Sequence, residues 1–99
     1  MRETLSFDDV LLVPGYSDIE SRSQINIGSS LDDNIRLSLP VISSPMDTVT
    51  EEHMCLTMAQ AGGMGIIHRY NTIEEQVKIA ERVFMYNLDA TVGAAIGMT

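Results

Sequence analysis

Several features that define whole classes of protein are scarce or missing in this sequence. It has no Trp, a single Cys, and only six Lys and Arg against 14 Asp and Glu, so its formal net charge is −8. One cysteine cannot form a disulfide within the chain, which favours a reducing, cytoplasmic setting. The negative charge repels phosphate backbones and anionic lipid, so we expect neither nucleic acid nor a membrane surface as partner.

Long apolar runs are also missing. No stretch approaches the ~20 residues of a membrane-spanning helix. Arg2 is followed at once by Glu3, unlike the basic, apolar and small-residue order of a secretory signal. The two histidines, His53 and His68, are not at a metal-ligand spacing, so no metal site is predicted. The remaining composition, 44% hydrophobic and 20% charged, is that of a soluble globular protein.

A rhythm of strand, helix and loop runs through the chain from residue 39 onward. Ser44 closes one apolar run, and His68 follows the next after a helix-length interval. Such spacing is typical of βα units in a parallel sheet, so the predicted fold class is α/β. The predicted strands cover residues 40–44, 64–68 and 91–96.

Two helices are predicted between these strands. Thr48 with Glu51 and Thr72 with Glu75 have the spacing of a capping box, in which each side chain satisfies an unpaired amide at a helix start. Gly62 and the glycine after it predict the end of the first helix near residue 61. The second helix carries a predicted apolar stripe of Ile73, Val77, Ala80 and Phe84.

Residues 1–38 are predicted to form an extended arm ahead of the repeat. Pro14 and Gly15 form a strong turn signal after an apolar patch. Alternating apolar residues between 25 and 39 predict a short hairpin, bracketed by residues 28–30 and 32–34. No domain boundary is predicted inside the chain, so residues 1–99 form one domain.

Three segments together carry a resemblance to a known family. Residues 39–51 read LPVISSPMDTVTE, residues 7–14 read FDDVLLVP, and residues 62–69 read GGMGIIHR. With them the chain resembles the amino-terminal part of the IMP dehydrogenase and GMP reductase family over nearly its whole length. The resemblance implies the first portion of a TIM (β/α)₈ barrel, with about three parallel strands and two helices after the arm. Because such a barrel needs about 250 residues, we expect this chain to be an incomplete one.

The resemblance also implies which residues meet the substrate. In the family, the Ser and Met that match Ser44 and Met46 contact a purine nucleotide, and the Met packs on the base. Without the family, a turn of this composition is more often a plain connection from strand to helix, and the role of Asp47 stays open between ligand contact and support of the helix dipole. Arg69 lies where relatives place a group near the nicotinamide cofactor. A solvated surface arginine is the alternative.

Other candidates for chemistry have ordinary explanations. A histidine can transfer protons or bind a metal, and that role stays open for His68, although a hydrogen-bonded residue at the barrel rim is the favoured prediction. A third cluster, residues 97–99, follows the last strand. Cys55 lies inside the first predicted helix among apolar neighbours, where a small buried hydrophobe is expected. The family attacks the purine with a cysteine on a later loop, so we assign no catalytic residue here.

Three functions remain open. The first is IMP dehydrogenase activity, converting IMP to XMP with NAD, and the second is GMP reductase activity, converting GMP to IMP with NADPH. The passage from Arg82 to Val92 leaves no room for the regulatory CBS module of typical dehydrogenases. The third is a non-catalytic barrel piece that acts through assembly. The resemblance further implies a homotetramer and a monovalent cation such as potassium, whose site lies outside this chain.

Overall fold

A computed structural model describes residues 2–98 of the chain. Within that range the protein has two α-helices, five short strands and two 3₁₀ turns. The helices are α1 (Glu52–Ala61) and α2 (Ile73–Tyr86). The strands are β1 (Ser29–Ser30), β2 (Arg36–Leu37), β3 (Ile42–Ser43), β4 (Met64–Ile67) and β5 (Val92–Ala94).

The first part of the chain lies outside the packed body. Every residue from 2 to 27 is exposed, and only the 3₁₀ turns Phe7–Asp9 and Arg22–Gln24 interrupt its extended course. The predicted hairpin follows, since β1 pairs antiparallel with β2. Residues 29 and 30 form one of its strands, whereas we expected them to bracket it. The carboxylate of Asp32 accepts two backbone N–H groups and so closes the turn between the strands.

A three-stranded parallel sheet in the order β3-β4-β5 forms the body. Each helix connects one strand to the next, which confirms the predicted βα repeat and the α/β class. The arrangement is consistent with part of a (β/α)₈ barrel. All three strands are shorter than predicted; β3, for example, covers two residues instead of 40–44.

The start of α1 differs from the prediction. The carbonyl of Met46 accepts the N–H groups of Val49 and Thr50, both at 3.0 Å, so the chain makes a separate turn before the helix begins. Glu51 is therefore the N-cap, and it makes no side-chain capping bond. The predicted capping box of Thr48 and Glu51 was wrong because this turn takes Thr48 out of the capping position.

The end of α1 is as predicted. Gly62 has φ +92°, a left-handed conformation that residues with a Cβ rarely adopt. Its N–H bonds back to carbonyls of the last turn of the helix. A Cβ at this position would also lie 2.0 Å from the Ser38 hydroxyl, so geometry and space both require glycine.

The core lies where both helices pack on β4. Cys55, Ile67 and Val83 are fully buried, and partly buried apolar side chains from both helices surround them. Gly65 lets α1 approach the sheet, because a Cβ there would lie 2.9 Å from the Cys55 sulfur and 3.1 Å from its Cα. The prediction that Cys55 is a small buried hydrophobe is confirmed.

Helix α2 begins as predicted, and only part of its predicted apolar stripe packs against the core. Thr72 and Glu75 form the predicted capping box, with Thr72 Oγ1 accepting the Glu75 N–H at 3.1 Å and Glu75 Oε2 accepting the Thr72 N–H at 3.0 Å. Of the predicted stripe, Ala80 packs against the core beside Ile79 and Val83, whereas Ile73 is 83% exposed. The rest of the stripe lines an open apolar groove of about 600 Å³ formed by Val77, Ala80, Glu81, Phe84, Met85 and Leu88.

No helix within residues 2–98 is long and apolar enough to cross a membrane.

Candidate functional site

The candidate site is the edge of the sheet at which β3, β4 and β5 end. Because the strands are parallel, the residues that follow them emerge side by side. Ser44 follows β3, His68 follows β4, and Ala95 follows β5, where its N–H donates to the Ile67 carbonyl at 2.9 Å. The sheet thus brings two of the three predicted clusters onto one edge. Residues 97 and 98 of the third follow β5, while Thr99 lies outside the described residues.

The loop after β3 presents Ser44 and Met46. The Met46 N–H donates to the Ser44 carbonyl at 2.8 Å, and the Met46 carbonyl accepts two amides of the following turn. Its backbone is thereby fixed while the Ser44 side chain stays exposed and Met46 is 52% exposed. An exposed hydroxyl and an exposed thioether are therefore presented together on a held loop.

The buried side chain of Thr50 holds the start of this loop. Its side chain is fully buried, and its Oγ1 lies 2.8 Å from Ser43 Oγ and within hydrogen-bond distance of the Ser44 carbonyl. A buried hydroxyl without partners would cost about 1–3 kcal/mol, and here both contacts go to the end of β3. Thr50 therefore ties the start of α1 to the residues that precede the exposed loop.

His68 is held by one partner on each ring nitrogen. Its Nε2 lies 2.8 Å from Glu51 Oε1, and its Nδ1 accepts the Tyr70 N–H at 3.1 Å. Because Nδ1 accepts, the neutral ring carries its proton on Nε2 and donates it to the carboxylate. The imidazole is 3% exposed and the Glu51 side chain 60%. This confirms His68 as a hydrogen-bonded residue at the strand end.

Arg69 lies next to His68 and is exposed. Its guanidinium carbon is 5.5 Å from the centroid of the Tyr70 ring, within the range of a cation–π contact. The Tyr70 ring also stacks on His68, with centroids 6.3 Å apart. Arg69 thus projects a positive charge beside an aromatic surface at the strand ends.

Gln76 of α2 closes the edge on the other side. Its Nε2 donates to the His68 carbonyl at 3.2 Å and to the Ala95 carbonyl at 3.0 Å, so it joins the ends of β4 and β5. A groove of about 350 Å³ with a mixed polar and apolar lining opens beside it, lined by Arg69, Asn71, Thr72, Ile73, Gln76, Ala95, Ile96 and Gly97. Asn71 Nδ2 is buried at this groove without a protein partner.

The chemistry within reach is binding and positioning. Among residues 2–98 no three His, Cys, Asp or Glu side chains cluster as a metal site would require. Cys55 is buried beneath the sheet, and burial raises the pKa of its thiol, so the reactive thiolate is disfavoured. Among the exposed groups at the edge, the Ser44 hydroxyl, the Met46 thioether and the Arg69 guanidinium suit a ligand with polar oxygens, a flat ring and negative charge. The carboxylates of Asp47 and Glu51 are exposed there as well.

Sequence reasoning missed three residues of this edge. Thr50, Glu51 and Gln76 make the side-chain bonds that hold the strand ends together. Glu51 had been assigned to a helix cap. A signal for Thr50 existed, since a threonine directly before a helix and after a polar loop is a candidate to bond the backbone. Nothing in the local pattern marks Gln76.

Comparison with known proteins places these features in a family. The IMP dehydrogenase / GMP reductase domain model matches residues 4–99. An inosine-5'-monophosphate dehydrogenase of Nitrosopumilus maritimus (strain SCM1) is 59% identical over 75 residues, which are 76% of this chain and 16% of that protein. One of Korarchaeum cryptofilum (strain OPF8) is 50% identical over 78 residues, 79% of this chain and 16% of that protein.

A protein named GMP reductase is also similar to this chain. A GMP reductase of Leishmania donovani is 46% identical over 81 residues, 82% of this chain and 16% of that protein. The chain thus spans 16% of the length of each of these three relatives. Since the family model covers the sequence from residue 4 to its last residue, the chain belongs to the IMP dehydrogenase / GMP reductase domain family.

Proposed function

We propose that this chain is the amino-terminal segment of a purine nucleotide oxidoreductase that converts IMP to XMP with NAD. The observation that carries the proposal is the exposed pair Ser44 and Met46 on a held loop at the carboxyl end of β3, in a chain of this family. In the intact protein the three parallel strands would be the first of a (β/α)₈ barrel, whose active site gathers at this edge. Residues 1–38 would be its arm.

Ser44 and Met46 are proposed to seat the nucleotide. The Ser44 hydroxyl can donate to a ribose or phosphate oxygen, and the polarizable Met46 sulfur can pack against the flat purine. Both side chains are exposed, so a ligand can reach them without displacing core residues. The backbone bonds of the loop supply the preorganisation that limits the entropy lost on binding.

Arg69 is proposed to contact the nicotinamide cofactor. Its exposed guanidinium follows β4 and shares the edge with the loop of Ser44. It could meet a phosphate by a charge-assisted hydrogen bond or stack on a ring. The nucleophilic cysteine, the monovalent cation and the tetramer contacts are proposed to belong to other parts of the protein.

GMP reductase activity is the second candidate, with NADPH reducing GMP to IMP and ammonia as product. It is favoured by the similarity to a GMP reductase and by the connection from α2 to β5. That connection consists of residues 87–91, which leaves no space for a CBS module. The same connection fits a dehydrogenase without the module.

Activity assays on the native protein that contains this segment would test the proposal. We expect IMP with NAD to produce NADH, measured as a rise in its absorbance, and GMP with NADPH to leave the NADPH absorbance unchanged. Ser44→Ala should raise the KM for the nucleotide about three- to tenfold, the effect of one hydrogen bond. Met46→Ala should raise it about tenfold or more through lost burial of an apolar side chain.

A matched control is available on α2. Met85→Ala removes the same side chain from an exposed position on the far helix and should leave the KM unchanged. If the activity is present but both Ser44→Ala and Met46→Ala behave like the control, the assigned contacts are wrong. Turnover of GMP with NADPH instead of IMP with NAD would select the reductase.

A further inference from the structure

Four side chains, two of them adjacent in the sequence, make hydrogen bonds that together reach the ends of β3, β4 and β5. We call Thr50, Glu51, His68 and Gln76 the carboxyl-end belt. Thr50 contacts the end of β3, Glu51 contacts His68 after β4, and Gln76 joins the carbonyls of His68 and Ala95. The belt therefore spans all three strands just below the exposed edge.

The strands are not held equally well by their own backbones. The register of β4 with β5 runs to Ile67 paired with Ala94, and the Ala95 N–H extends it further. The register of β3 with β4 ends at Ser43 paired with Gly65. Beyond Ser43 the loop with Ser44 and Met46 has no strand pairing to β4, so side chains must set its distance from the loop with Arg69.

The Glu51–His68 contact spans this gap. Glu51 directly follows Thr50, whose hydroxyl is bonded to Ser44, and His68 directly precedes Arg69. The buried imidazole of His68 cannot turn freely, because its Nδ1 accepts the Tyr70 N–H. The backbone of His68 is held as well, because its carbonyl accepts from the Gln76 side chain. The carboxylate is the accessible half of the pair, so it can be replaced without opening the core.

We propose that Glu51 and His68 are positioning residues for the nucleotide. Through their 2.8 Å hydrogen bond they hold the Ser44–Met46 loop at a fixed separation from the Arg69 loop. This inference rests on the proposed function, since it concerns the nucleotide contacts assigned there. Neither residue touches the ligand; they act through their neighbours.

Calorimetric titration of the native protein with IMP, repeated with GMP, would test the role. Glu51→Ala removes the acceptor of the Nε2 proton, and we expect it to weaken nucleotide binding about tenfold, as the loss of roughly one hydrogen bond from the displaced loop to the ligand would. Glu51→Gln replaces the carboxylate with an amide whose oxygen can accept the same proton, so the nucleotide affinity should be within about threefold of the native affinity.

Glu52→Gln is the matched control. Glu52 is the neighbouring carboxylate, and its 3.4 Å contact is with Arg82 of α2 instead of a residue at a strand end. The Glu52→Gln variant should bind the nucleotide with the same affinity as the native protein. The melting temperature of each variant is measured as well, and titrations are made below all of them, so that a loss of folded protein is not read as a loss of affinity.

The outcomes separate the two proposals. If Glu51→Ala is folded and binds as tightly as the native protein, while Ser44→Ala binds more weakly, the positioning role is refuted and the proposed function stands. Equal losses in Glu51→Gln and Glu51→Ala would also refute it, because the hydrogen bond would then not be the cause. If the native protein binds neither IMP nor GMP, the proposed function fails and this inference fails with it.

Discussion

Gly65→Ala tests how tightly α1 is set against the sheet. The new methyl group would lie 2.9 Å from the Cys55 sulfur, 3.1 Å from the Cys55 Cα and 3.3 Å from Ser43 Oγ. The sulfur and the hydroxyl belong to side chains, but the Cα belongs to the backbone of α1 and cannot rotate away. The helix as a whole must therefore move by a few tenths of an ångström.

The expected cost follows from two opposed effects. Overpacking of a filled core costs about 1–3 kcal/mol. Replacing glycine by alanine stabilises by about 0.4–1 kcal/mol through the unfolded chain where the backbone permits it, and Gly65 does not have positive φ. We expect the free energy of unfolding to fall by about 1–2 kcal/mol. Because α1 begins beside Glu51, the nucleotide affinity should weaken as well.

Urea unfolding of the native protein, followed by circular dichroism, would measure this cost. Gly15→Ala is the control, since a Cβ at Gly15 meets nothing within 4 Å, and it should be neutral or slightly stabilising. The double variant Gly65→Ala/Cys55→Ala removes the sulfur contact, so its cost should be smaller than the sum of the two single costs by at least about 0.5 kcal/mol. Strict additivity, or a Gly65→Ala variant as stable as Gly15→Ala, would refute the reasoning.

Three further outcomes are expected. Thr72→Ala should lower the free energy of unfolding by about 1 kcal/mol, because it removes the capping hydrogen bond at the start of α2. Thr48 does not cap α1, so Thr48→Ala should change the free energy of unfolding by less than about 0.5 kcal/mol. Similar losses in the two variants would contradict the capping assignment. Cys55 should react with a thiol reagent much more slowly in the native protein than in urea, since burial raises the pKa of its thiol; equal rates would mean that the thiol is accessible. Hydrogen bonds from the Ser6 backbone and hydroxyl lower the pKa of Asp9. Their contribution to folding stability is therefore present at pH values above the ordinary pKa of a carboxyl group and is lost as the pH falls through the lowered pKa. Ser6→Ala should raise the pKa of Asp9 in an NMR titration, and an unchanged pKa would show that the Ser6 hydroxyl does not contribute.

Features that depend on a few neighbouring residues could be predicted from the sequence. The glycine cap at Gly62 and the capping box at Thr72 were predicted correctly because both are formed by residues within one helical turn. The βα order and the burial of Cys55 were also predicted correctly, since apolar spacing records which segments must be covered. Ser44, Met46 and Arg69 remain predictions as ligand contacts, although the structure shows that they share one edge.

Features that depend on which segments meet could not be predicted. Thr48 was predicted to cap α1, and only the turn at Met46 decides that it does not and that Thr50 bonds the end of β3. Helix α2 carries more apolar side chains than can pack against the core around Ile67, so tertiary packing decides which of them are covered.

The sequence by itself determined the family, the order of helices and strands, and the residues at which α1 ends and α2 begins. The tertiary structure decided how the strand ends are held together. Glu51 and His68 are 17 residues apart, and they meet because parallel pairing brings the ends of β3 and β4 to one edge. Such a contact leaves no local pattern, since each partner's side chain is set by a segment that is distant along the chain.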